Sequence, residues 1–110
     1  MRQDDVEFQR LERSDGHVLA ISGEVDLAVA GRFAKELEKL IEESNGTGLV
    51  DLARVHFMDS SGIRELLKAK WEAESKGGAL ALLTPSESCR RVLEISGAWN
   101  EFTIRDDPAS

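Results

Sequence analysis

Along this chain, short stretches in which apolar and polar residues alternate give way to stretches with a three-to-four-residue apolar period. Val6, Phe8 and Leu11 suggest a first strand and Val18-Leu19-Ala20-Ile21 a second, with Asp15-Gly16 as the tight turn that pairs them antiparallel. Val29, Phe33, Leu37, Leu40 and Ile41 mark one face of a helix whose other face carries Arg32, Lys35, Glu36, Lys39 and Glu43. Asn45-Gly46 ends it, since both residues tolerate a left-handed backbone. Leu49-Val50-Asp51-Leu52 reads as a third strand and Ala53 to Met58 as a connection. Ile63, Leu66, Leu67 and Trp71 then recur at helical spacing, with Trp71 expected in the core.

Lys76-Gly77-Gly78 breaks that helix before the apolar run Ala79 to Leu83, which suits a strand buried on both faces. Thr84-Pro85-Ser86-Glu87 supplies a capping hydroxyl residue, a proline for the first helical position and a glutamate two residues on. It opens a short helix carrying Cys89, Val92, Leu93 and Ile95, stopped by Gly97. Phe102 and Ile104 form a last short strand. This order predicts an α/β fold: one domain over residues 1–110, a mixed sheet of about five strands with helices packed against it, and a short flexible tail near 106–110.

Composition narrows what such a domain does. The chain has 110 residues, enough for one small core and too few for two. Its formal net charge of −7, with Lys and Arg scattered among acids, repels a phosphate backbone and argues against direct nucleic-acid binding. Met1-Arg2-Gln3-Asp4-Asp5 lacks the apolar stretch of a secretion signal, and no apolar run is long enough to span a bilayer, so a cytoplasmic location is expected. A single cysteine excludes an internal disulfide framework and a four-cysteine zinc site.

The candidate chemistry lies at Asp59-Ser60-Ser61-Gly62, between the third strand's connection and the second helix. A helix's first turn leaves backbone N–H groups without partners and carries the positive end of the dipole, so a phosphate placed there is hydrogen-bonded and electrostatically favoured. Asp59 or Ser60 serves as the cap, worth on the order of 1 kcal/mol, and Gly62 lets another backbone approach closely. Local physics alone makes an ordinary cap the better explanation of such a motif.

The run Leu49 to Leu67, with Phe57-Met58-Asp59-Ser60-Ser61-Gly62 at its centre, resembles the STAS-domain anti-sigma factor antagonists of bacteria. Gly23-Glu24-Val25-Asp26 looks like that family's end of the second strand, Gly77-Gly78 like its turn before the next strand, and Ser96-Gly97 like its late helix terminus. The resemblance implies a non-enzymatic switch without cofactor. Unmodified, such a protein binds an anti-sigma factor that is also a serine kinase of the histidine-kinase-like ATPase type, and so frees a sigma factor. Phosphorylation of the serine directly after the motif's aspartate releases it, and a phosphoserine phosphatase reverses the step.

Matched residue by residue, the acceptor is Ser60, with Ser61 as second candidate. The implied docking surface is Asp26, Asp59, Ser60, Ser61, Gly62, Ile63 and Arg64. In close relatives of this type the glycine is followed by an aliphatic residue and a second glycine. Here Ile63 is followed by Arg64, a long cation able to pair with a phosphate, compete for Asp59 or reach a partner's acid.

Two rival readings remain on the sequence: a STAS subunit of a signalling scaffold or transport-regulating complex, and a nucleotide- or anion-sensing module using the same helix N-terminus. A hydrolase is disfavoured, because there is no Gly-x-Ser-x-Gly elbow and neither His17 nor His56 is placed as a base. His56 is expected partly buried, His17 solvated, Cys89 in the core and Trp99 near the surface. Glu24 and Asp26 make a weak metal pair and a better turn cap.

Overall fold

The sheet is built around two long neighbouring strands whose apolar faces recruit the helices. In the computed structural model, which describes residues 6–14 and 16–106, the elements are β1 (Glu7–Arg13), β2 (Gly16–Val25), α1 (Leu27–Ser44), β3 (Thr47–Met58), α2 (Ser60–Ser75), β4 (Ala79–Leu83), α3 (Glu87–Ile95), a short 3-10 turn (Trp99–Glu101) and β5 (Thr103–Arg105). The five strands lie in the order β1-β2-β3-β4-β5. β1 runs antiparallel to β2, and every later pair is parallel. A chain can join parallel neighbours only by crossing over the sheet, and α1, α2 and α3 make those crossings. The expected mixed α/β sheet is therefore present. Asp15 of the first turn, and the tail from Asp107 on, lie outside the described residues.

Alternation along the strands sorts the core into two faces. Leu19, Val50 and Leu82 join Phe33, Leu37 and Leu40 of α1, Leu66, Ala69 and Ala73 of α2, and Cys89 and Leu93 of α3 in one buried cluster. Their neighbours Val18, Leu49 and Ala81 form a smaller cluster with Leu83 on the opposite face. Each large side chain buried in this way contributes roughly 1.5–3 kcal/mol. β4, flanked by β3 and β5, is buried from Leu80 to Leu83, as its continuous apolar run predicts. Asn45 ends α1 in the left-handed region at φ 53°. No helix among the described residues is long and apolar enough to cross a membrane.

Four details depart from the sequence reading. The stretch Ala53 to Met58 is strand, not connection: β3 continues to Met58 because two register shifts against β2 absorb the extra residues. Those shifts turn a two-residue period into a three-residue one, burying Leu52, Val55 and Met58 and leaving His56 exposed, where partial burial was expected. Trp71 is 55% exposed; at 3.6 residues per turn it lies about 140° around the helix from buried Leu66. Ile95 is likewise exposed, at the end of α3.

The fourth departure is the start of α3. Thr84 lies in the bend just past β4, its N–H still donating to the Arg105 carbonyl of β5 at 2.7 Å, so neither Thr84 nor Pro85 opens the helix. Ser86 does: its hydroxyl accepts from Cys89 N–H at 3.1 Å and donates to the Val55 carbonyl at 2.5 Å. That second bond ties α3 to the shifted part of β3.

Candidate functional site

Val25 and Met58 are partners in register on adjacent parallel strands, so β2 and β3 end side by side. Each strand hands the chain to an aspartate in extended conformation, which then caps a helix. Asp26 Oδ1 accepts from Ala28 N–H at 3.0 Å and opens α1. Asp59 Oδ1 accepts from Ser61 N–H at 2.9 Å and opens α2. A backbone bond from Asp59 N–H to the Val25 carbonyl, 3.1 Å long, ties the two helix starts together. Two positive helix ends, each answered by a carboxylate, thus meet at the carboxyl edge of the parallel strands, where open α/β sheets present their binding groups.

The two serines differ sharply. Ser61 is half-buried and its hydroxyl donates to Asp59 Oδ1 at 2.5 Å, alongside its own N–H. Ser60 is exposed, and its hydroxyl has no partner among the described residues. The cap is therefore Asp59 and not Ser60, which leaves the Ser60 oxygen available to a second protein.

Gly62 and Ile63 face inward. A Cβ on Gly62 would sit 2.7 Å from Met58 Cγ and 2.9 Å from Val25 Cγ1, so side chains, rather than the backbone expected from sequence, approach there. Arg64 is exposed, and among the described residues it pairs neither with Asp59 nor with another acid. The surface around the helix starts thus presents Ser60 and Arg64, with Asp26, Asp59 and Ser61 half-buried beside them.

Sequence reasoning missed the apolar part of this edge. Leu27, the first residue of α1, is 77% exposed and Phe57, paired across the strands with exposed Glu24, is 46% exposed. Phe57 escaped notice because residues 53 to 58 read as a connection, which gives no side chain a face; as part of β3 it lies on the face opposite Leu52 and Met58. Among the described residues no three His, Cys, Asp or Glu side chains converge to hold a metal ion, Glu24 and Asp26 included. Cys89 is buried in the core, and burial pushes its thiol up to about 11, far from the reactive range. His17 is half-buried, 3.9 Å from Glu12, and Trp99 is half-buried under the Arg90 guanidinium at 4.9 Å.

The STAS domain family profile matches residues 9–110 of the chain. An anti-sigma F factor antagonist of Lysinibacillus sphaericus is 31% identical over 81 residues, covering 73% of this chain and 69% of that protein. Among solved structures, the anti-sigma factor antagonist SpoIIAA in its unphosphorylated form is similar with a TM-score of 0.74 and 26% identity, over 92% of this chain and 90% of that one. The Bacillus cell fate determinant SpoIIAA in its phosphorylated form is similar with a TM-score of 0.68 and 26% identity, over 92% of this chain and 93% of that one.

Proposed function

This chain belongs to the STAS domain family, and from that premise we propose that it is an anti-sigma factor antagonist, a regulatory binding protein rather than an enzyme, switched at Ser60. Unmodified, it binds in the cytoplasm an anti-sigma factor that is also a histidine-kinase-like serine kinase, and a sigma factor is set free. The kinase transfers the γ-phosphoryl of ATP to Ser60 Oγ: the new bond is O–P, ADP leaves, and the hydroxyl proton passes to a base on the kinase. A phosphoserine phosphatase restores the hydroxyl.

The observation that carries this reading is the exposed, uncommitted Ser60 hydroxyl at the α2 N-terminus, beside Ser61, whose hydroxyl is held by Asp59. A phosphate there adds about −1.5 to −2 charges and three acceptors. The helix end favours that charge, so the fold is left in place. A partner surface fitted to a neutral hydroxyl and already facing Asp26 and Asp59 does not favour it. One uncompensated charge at such an interface costs roughly 3 kcal/mol, about two orders of magnitude in affinity. Both SpoIIAA forms, phosphorylated and unphosphorylated, share this fold with the chain, which fits a switch that works without refolding.

The test is incubation with the histidine-kinase-like ATPases of the source organism and ATP, mapping of the phosphosite by mass spectrometry, and affinity measurement before and after. Ser60→Ala should bind constitutively and Ser60→Asp about 100-fold more weakly than the unmodified protein. Modification at Ser61 alone, or equal binding by all forms, refutes the switch. Association that survives modification would favour the scaffold reading instead.

A further inference from the structure

The geometry points to the exposed face of α2 as a docking surface in two parts, in which Trp71 supplies affinity and partner choice that the state of Ser60 does not touch. This rests on the reading above and adds to it a determinant outside the motif. Ser60, Arg64, Leu67 and Trp71 follow one another at spacings of four, three and four, which puts them within about 60° of one another around the helix. Ser60, Arg64 and Trp71 are exposed, and Leu67 is partly buried against the core beneath them. The other cations of α2 and its cap are occupied: Lys68 with Glu65 at 3.6 Å, Lys70 with Glu74 at 3.1 Å and Lys76 with Glu72 at 3.4 Å. Arg64 has no such acid among the described residues. The stripe therefore reads hydroxyl, unanswered guanidinium, indole.

That combination fits a protein partner with a carboxylate opposite Arg64 and an apolar pocket one to two turns further along. Trp and Arg are the side chains most enriched where interface energy concentrates. The occupant is the anti-sigma factor and not a second copy of the chain, because two copies carrying −7 each repel. Trp71 lies eleven residues, about 16 Å along the axis, from Ser60, or two screening lengths at physiological salt. A phosphate on Ser60 reaches Arg64, one turn away, but not the indole.

The experiment uses a Trp99→Phe background, which leaves Trp71 as the sole indole of the chain's two, with each histidine-kinase-like ATPase of the source organism as titrant. Binding should shift Trp71 emission to the blue and shield it from acrylamide. Trp71→Ala should weaken binding at least about 30-fold, by the same factor with Ser60 and with Ser60→Asp, since sites this far apart act additively. Trp71→Phe should recover much of the loss, which a misfolded protein would not. Arg64→Ala should change the ratio between the two Ser60 states. If a kinase binds and discriminates at Ser60 while Trp71→Ala binds equally well and the indole stays quenchable, this inference falls and the switch stands. A concentration-dependent dimer abolished by Trp71→Ala also overturns it. Binding by none of the kinases removes the switch and this inference together.

Discussion

Asp59 does three things with one side chain and its backbone: it caps α2, holds the Ser61 hydroxyl and bonds back to the end of β2. Asp59→Ala should cost about 1 kcal/mol of stability in denaturant unfolding. Asp59→Asn, which also caps well, should retain most of that, and it should lower the selectivity of phosphorylation for Ser60 by loosening Ser61. Cys89 gives a pH test of the core. Burial, the larger effect, opposed by the neighbouring Ser86 hydroxyl, raises its thiol from 9.0 to about 11. Between those values the unfolded chain has lost a proton that the folded one keeps, so stability is complete below 9.0 and falls as pH rises toward 11. The alkaline loss should be on the order of 2 kcal/mol, and Cys89→Ala, compared with wild type at about pH 8 and about pH 10.5, should lack it.

Elements were legible where a single period governed them. The α1 stripe of Phe33, Leu37 and Leu40 and the apolar run of β4 went into the core as their spacing predicts. The motif's place at a helix start was equally plain, because Asp and Ser before an apolar helical period have few other uses. What escaped was set by pairing and not by the segment itself. No local pattern announces the register shifts that extend β3, turn Val55 inward and turn His56 outward, since they exist only against β2. Trp71 was legible in principle: its angular offset from Leu66 can be counted along the helix, and the size of its side chain alone points the wrong way. Glycines within helices test the same distinction between local and tertiary causes. Gly31 in α1 has nothing within 4 Å of a would-be Cβ, so Gly31→Ala should stabilise by about 0.5–1 kcal/mol. Gly62→Ala gains the same helix propensity but presses on Met58 and Val25, and should destabilise by about 1–2 kcal/mol in the same unfolding assay.

At the scale of the whole molecule, the proposed switch lies at one edge of the fold, outside the buried core. Phosphorylated and unmodified protein should therefore melt within about 2 °C of each other and give superimposable far-ultraviolet dichroism, although their affinities differ about 100-fold. Because that difference is ascribed to charge, it should shrink as salt rises. At about 1 M the screening length falls to about 3 Å, so a titration repeated there should narrow the difference by the part that is repulsion between exposed charges and leave the cost of burying the phosphate at the interface.

The backbone bond between Asp59 and Val25 makes a single ledge of what would otherwise be two separate loops. A footprint spanning both is then a matter of phase: one alanine inserted after Val25 or after Met58 would slide one half of the ledge by about 3.3 Å relative to the other. Such an insertion leaves every surface residue in place chemically, and it should abolish recognition while the chain still folds.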